Sequence, residues 1–193
     1  MGKRREHYSK KALEKEISVL RELLEWIIYI IVVMILSFLA VTYVGQRTRV
    51  DGHSMETTLY DGDNLWVDKL SYRFRDPKRY EIVVFPFKYK ENTYYIKRII
   101  GLPGETVQVK DGYVYIDGEK SDEHYGNELM VDPGIAAVPI TLGEDEYFVL
   151  GDNRNHSSDS RVGSVGIIKR EDLMGRAWVR IWPLNRLGVI QHE

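Results

Sequence analysis

Val107-Gln108-Val109-Lys110-Asp111-Gly112-Tyr113-Val114-Tyr115-Ile116-Asp117-Gly118 reads as two short strands joined by a two-residue turn, with another turn directly behind. Val107 and Val109 alternate with polar residues, as a half-buried strand requires, and Asp-Gly supplies the left-handed backbone angles of a tight hairpin. Outward from this hairpin the pattern recurs. Further β-rich runs are Asn64 to Asp68, Ile82 to Phe87, Thr93 to Ile100, Tyr147 to Leu150 and Ala177 to Trp182, each bounded by Gly, Pro or Asp clusters. Lys169 to Leu173 predicts one helical turn before Gly175, and segment 119–146, rich in Asp, Glu, Gly and Pro, reads as an excursion from the β core. Many short strands with closely spaced turns predict a mainly β domain, antiparallel and partly closed, rather than an alternating α/β enzyme.

Ahead of this region the pattern is helical. Trp26 to Val44 runs nineteen residues without a charge, close to the roughly 20 that a helix needs to cross a bilayer core. Trp26, Tyr29 and Tyr43 suit the two interfaces. The run is longer than the apolar region of a cleaved signal peptide, and Val41, Thr42 and Tyr43 after Ala40 make a poor cleavage site, so an uncleaved anchor is expected. Seven Lys/Arg lie in residues 1–22, whereas only Arg47 and Arg49 closely follow the span. Positive flanks stay inside. The expected organisation is a cytoplasmic segment 1–25, a transmembrane helix 26–44, and an extracytoplasmic β-rich catalytic domain 45–193.

Composition removes several classes of chemistry. The 193 residues, less one span, suffice for a single compact domain. There is no cysteine, which excludes thiol catalysis, thiolate metal sites and disulfides. From Gln46 onward 20 Lys/Arg face 24 Asp/Glu, a mildly acidic balance without a basic stripe, so nucleic acid is not an expected partner. His7, His53, His124, His156 and His192 show no paired ligand spacing, and neither metal nor cofactor is expected.

Three polar stretches interrupt the apolar strands: Asp51-Gly52-His53-Ser54-Met55, Tyr95-Ile96-Lys97-Arg98-Ile99-Ile100-Gly101-Leu102-Pro103-Gly104-Glu105, and Gly151-Asp152-Asn153-Arg154-Asn155-His156-Ser157-Ser158-Asp159-Ser160-Arg161. A serine hydroxyl attacks an amide only when a base takes its proton, and Ser-Lys is a recurrent solution. Lysine serves as base only when neutral, and burial can lower its pKa by roughly 3 to 5 units. Lys97 lies among Tyr95, Ile96, Ile99 and Ile100. In an extended strand Tyr95, Lys97 and Ile99 share one face and Arg98 takes the other, so the lysine is expected to be buried while Arg98 keeps its charge. A strand lysine alone reads more readily as a guard against edge aggregation, and a serine beside glycine as a turn residue; it is the three stretches together that favour catalysis. His53, adjacent to Ser54, points away from it in extended chain, whereas His156 is the more credible rival base.

In this order, behind one membrane span, the stretches resemble the motifs of the type I signal peptidases: a serine in G-x-S-M-x-P-T-L, a lysine in K-R-x-x-G-x-P-G, and a G-D-N-R-x-x-S-x-D-S-R loop. The resemblance implies a signal-peptidase-like β domain and a membrane-bound serine endopeptidase that removes signal peptides from secretory preproteins, cutting after small residues in an A-x-A pattern. It assigns Ser54 as nucleophile, with its own N–H in the oxyanion hole, and Lys97 as general base. Ser157 aligns with the serine that orients that lysine. Gly151, Asp152, Asn153, Arg154, Asp159, Arg161 and Arg98 would hold the long loop, Asp152 reaching Arg98. Val50, Met55, Leu59, Tyr95 and Ile96 are the candidate substrate-lining residues. Phe85-Pro86-Phe87 and Tyr89 are candidates for contact with membrane lipid.

Three positions depart from the family pattern. Gly52 stands where some members carry a further oxyanion-hole serine, Thr57 replaces proline, and Tyr80-Glu81 replaces Gly-Asp. The competing readings are a non-catalytic signal-peptidase-like accessory protein for surface-structure (pilus) assembly and a self-cleaving Ser-Lys regulator. The latter calls for an upstream DNA-binding domain where this chain has a span.

Overall fold

The computed structural model describes residues 2–126 and 128–192. The chain divides into two units, one ending at Tyr43 and one beginning at Val44. The first is a single helix, α1 (Gly2–Leu39), continued by one wider turn at Ala40–Val44. Its segment Ser18–Val44 has a mean hydropathy of 2.7 and is long and apolar enough to cross a membrane. Every apolar side chain from Val19 to Leu39 is exposed. A helix apolar all round with no protein packed on it is suited to lipid rather than water.

The second unit is built from antiparallel strands: β1 (Gly45–Arg49), β2 (Asn64–Asp68), β3 (Ile82–Pro86), β4 (Tyr94–Gly101), β5 (Thr106–Lys110), β6 (Tyr113–Ile116), β7 (Glu119–Lys120), β8 (Ile140–Thr141), β9 (Glu146–Leu150), β10 (Ile168–Lys169), β11 (Gly175–Trp182) and β12 (Gly188–Val189). The larger sheet runs β1-β2-β11-β3-β4-β9-β10, with β12 also paired to β11; the smaller runs β7-β6-β5-β8. The hairpin at the start of the sequence argument is β5–β6, and Asp111 and Gly112 take φ of 52° and 80°, the doubly left-handed turn that Asp-Gly favours.

Each longer β-rich run became a strand, with boundaries moved by a residue or two, and the expected helical turn is a 3-10 turn at Arg170–Asp172. β1 was not legible, because Gly45-Gln46-Arg47-Thr48-Arg49 carries almost no apolar signal; it is held by pairing with β2. The two-residue strands escaped for want of length.

β4 is flanked by β3 and β9, and from Ile96 to Gly101 every residue is buried. The alternation that sets Lys97 and Arg98 on opposite faces of β4 therefore leaves neither of them outside. Lys97 is 4% exposed and Arg98 only 1%. A central strand covered on both faces has no wet side, so both charges must be accommodated indoors. Ile96 and Val84 belong to one core cluster, Ile99, Val83 and Val149 to a second, and Ile100, Phe148 and Leu150 to a third.

Candidate active site

The loop between β1 and β2 carries Ser54. It is closed by Leu59 N–H donating to the Met55 carbonyl at 2.8 Å and Val50 N–H donating to the Asp63 carbonyl at 2.8 Å. Met55 and Leu59 are fully buried with Val50, Leu65 and Ile96, each such side chain contributing roughly 1.5–3 kcal/mol. Two apolar pegs thus fix a polar loop to the core. Gly52, just before the serine, has φ of 98°, an angle costly to any residue with a Cβ.

Ser54 Oγ lies 2.8 Å from Lys97 Nζ, and the amine also donates to the Ile96 carbonyl at 3.0 Å. Burial pulls the Lys97 pKa down to about 8, while the more distant Asp159 and Asp152 carboxylates pull it partly back up. A largely desolvated amine close to neutrality, within hydrogen-bond reach of one hydroxyl, is placed to take its proton. The pair opens onto a cleft of about 280 Å³ whose lining includes Val50, Met55, Tyr95, Ile96 and His156. A larger concavity of about 880 Å³, lined by Lys69, Tyr72, Glu146 and Lys169 among others, contains neither Ser54 nor Lys97.

The stretch 151–161 packs behind the pair. Arg98 forms two hydrogen bonds with Asp152, at 2.8 and 2.7 Å. Arg161 Nε donates to Asp159 Oδ1 at 2.9 Å, and Gly151 N–H donates to Asp159 Oδ2 at 3.1 Å. Arg161 also bonds the Arg154 carbonyl, and Arg154 pairs with Glu123 in the excursion. Asn153 N–H donates to the Ser54 carbonyl at 3.0 Å. Asn153 Nδ2 donates to the His53 carbonyl at 3.1 Å.

Comparison with known proteins identifies the family. The family profile described as "Signal peptidase, peptidase S26" matches residues 23–182. The chain is 44% identical to the probable signal peptidase I-2 of Synechocystis over 157 residues, 79% of this chain and 70% of that protein. It is 36% identical to a signal peptidase I of Bacillus licheniformis over 181 residues, 90% of this chain and 96% of that one. The chain belongs to the signal peptidase I family. A solved signal peptidase I from Enterococcus faecalis matches 53% of this chain and 97% of its own, at 34% identity and a TM-score of 0.44. The protein is a signal peptidase I, a serine peptidase of signal peptides.

Several details of this signal peptidase differ from the sequence expectations. Leu59 does not reach the cleft; it is wholly buried, a core peg rather than a substrate contact. Phe85 is likewise buried, though Tyr89 is exposed. Ser157 Oγ is buried against Gly151 without a hydrogen bond to a described residue; the Lys97 hydrogen bonds go to Ser54 and Ile96. His53, expected to point away from Ser54, bonds Glu56 at 2.8 Å, which raises its pKa.

Structural residues that sequence reasoning passed over include Thr58, whose hydroxyl donates to Asp152 at 2.6 Å, and Tyr125, whose ring lies 3.6 Å from the Arg98 guanidinium. Asp63, fully buried, pairs with Arg180 and Arg186. Glu81 is buried beside Arg75 and Arg176 and accepts from Tyr72. It does the work of a buried acid beside β3. Tyr80 before it has φ of 68°, a left-handed angle that glycine adopts freely, and its ring packs 5.1 Å from that of Tyr125. Thr57, in the place of proline, is exposed, and its neighbours in the loop carry the packing.

Proposed function

We propose that this peptidase works through a Ser54–Lys97 dyad and cuts after small residues of membrane-delivered preproteins. The observation that carries the reading is the 2.8 Å approach of Ser54 Oγ to a buried Lys97 whose pKa is about 8. Neutral Lys97 accepts the Ser54 proton as Oγ attacks the scissile carbonyl. The Ser54 N–H donates to the oxyanion that forms, a contribution of about 3 kcal/mol for one such donor. Protonated Lys97 then gives its proton to the leaving amine as the C–N bond breaks. Water attacks the resulting ester with Lys97 again as base, and Ser54 recovers its proton when the acid departs.

Val50, Met55, Tyr95 and Ile96 form apolar walls of the cleft, which suits small apolar side chains better than large or charged ones. An extended peptide can lie along them as an added strand. Gly151, Asp152, Asn153, Arg154, Asp159, Arg161 and Arg98 set the geometry.

The apolar span supports a membrane-anchored enzyme, and the flanking charges favour an N-terminus in the cytoplasm and a β domain outside. Within the β domain, Trp66, Phe74 and Trp178 line a concavity of about 420 Å³. Phe74 is 81% exposed. This surface suits lipid contact better than the segment around Phe85.

The test is cleavage of a secretory precursor by the full chain in lipid vesicles. Wild type is expected to yield the mature N-terminus, and Ser54→Ala and Lys97→Ala none. Cleavage retained by either variant overturns the dyad, and a His156→Ala loss as large as that of Lys97→Ala transfers the base role to the histidine.

A further inference from the structure

Asn153 makes two hydrogen bonds to consecutive carbonyls of the nucleophile loop. Its main-chain N–H donates to Ser54 O, and its side-chain amide donates to His53 O. The second bond has a particular consequence. The His53 carbonyl and the Ser54 N–H belong to the same trans peptide group, whose planarity sets the two bonds in opposite directions. Whatever holds the His53 oxygen therefore also sets the direction of the Ser54 N–H. That N–H is the donor that the dyad reading places in the oxyanion hole.

We infer that Asn153 is a positioning residue for the oxyanion hole: its side-chain amide orients and polarises the His53–Ser54 peptide so that the Ser54 N–H meets the developing negative charge. Two features beyond the bond itself support this. First, Asn153 sits between two buried anchors, Asp152 locked to Arg98 on one side and Asp159 locked to Arg161 on the other, so its amide cannot drift with the loop. Second, Gly52 leaves this chain without a side-chain hydroxyl two positions before Ser54, which concentrates the demand on the backbone donor. A hydrogen bond accepted by a peptide carbonyl strengthens the donor at the other end of the same group, by roughly 10–30% in condensed-phase estimates. A dipole fixed before the reaction also needs no reorganisation during it.

The inference rests on Ser54 as nucleophile, and the experiment separates the two. The full chain in detergent is assayed with a fluorogenic Ala-x-Ala peptide and with the corresponding peptide aldehyde, whose adduct with a serine hydroxyl places an oxygen in the hole. Asn153→Ala keeps the main-chain bond to Ser54 O and removes only the amide. It is expected to lower kcat about ten-fold, less than the ~10²–10³ lost when an oxyanion donor itself is deleted. KM should stay within about two-fold, and aldehyde affinity should fall by the same factor as kcat. The 15N resonance of the Ser54 amide should shift, and Asn153→Gln should recover part of the rate. Unchanged kcat, a loss confined to KM, or an unmoved Ser54 amide resonance overturns the inference. If Asn153→Ala does not fold, Asn153→Ser, whose hydroxyl stops short of the His53 carbonyl, carries the same readouts. Cleavage retained by Ser54→Ala is a different failure, that of the dyad.

Discussion

Arg98 and Asp152 face each other in parallel, Nε to Oδ1 at 2.8 Å and Nη2 to Oδ2 at 2.7 Å, with side chains 1% and 0% exposed. The pair joins the strand residue next to Lys97 to the loop that backs Ser54. It is stitched in further by Thr58, which donates to the same carboxylate, and by Arg98 donation to the Tyr80 carbonyl. Removing one member strands the other charge. Asp152→Ala is expected to cost roughly 3–5 kcal/mol of stability, read by urea unfolding of the β domain, and to reduce cleavage.

Lys97 should give the rate its pH dependence. In the proposed dyad only the neutral amine accepts the Ser54 proton, so kcat/KM is expected to rise with pH and level off above about 8. A pH–rate profile flat between pH 6 and 9 contradicts this.

The same burial should oppose stability. The unfolded lysine holds its proton to about 10.5, the folded one only to about 8. Between these values the unfolded chain binds more protons, so stability rises with pH across that window, and the full penalty is present below it. The gap corresponds to roughly 3 kcal/mol at neutral pH. Lys97→Met is therefore expected to be inactive yet to melt higher than wild type at pH 7, as thermal unfolding will show.

Gly151 should tolerate nothing larger. An added Cβ overlaps both Ser157 and the Ser54 carbonyl, whereas at Gly163 it meets no atom within 4 Å. Displacing a nucleophile by about 1 Å can cost ~10²-fold in rate. Gly151→Ala is expected to lose at least that much in a peptide assay, and Gly163→Ala almost nothing.

Leu59 separates packing from recognition. Because it is wholly buried and absent from the cleft, Leu59→Ala is expected to destabilise by about 2–5 kcal/mol with KM unchanged at a temperature where the variant is folded. A KM effect without a stability effect would return it to the substrate site.

His192 should sense acid. Its Nδ1 accepts the Ile82 N–H at 3.2 Å, which requires the neutral ring, and burial lowers its pKa from 6.5 to about 4. Between those values the unfolded chain binds more protons, so stability falls as pH drops from 6.5 towards 4. His192→Leu is expected to flatten that loss in melts recorded across the window.

The hairpin at Asp111-Gly112 and the apolar run to Val44 were legible because their physics is local: two left-handed residues in one case, length without charge in the other. The strand at Gly45–Arg49 was not, since a polar edge strand is held only by its partner. The burial of Arg98 was not legible for a related reason. Alternation along a strand separates its two faces but does not say whether one or both are covered, and β3 and β9 decide that from elsewhere in the chain. Leu59 was misassigned because apolar type alone does not distinguish a pocket wall from a peg. Asn153 stood in the polar loop as a turn residue; its reach to His53 spans 100 positions.

Sequence alone determined the kinds of chemistry available to this protein, one serine loop, one strand lysine and one polar loop behind an apolar span with no thiol among them, because side-chain type and local pattern are written residue by residue. Tertiary structure alone decided that the lysine is dry, that it lies within reach of one hydroxyl, and that the loop peptide is gripped from behind. Desolvation and distance are set by what strands far apart in the chain place around an atom, and no local window contains that.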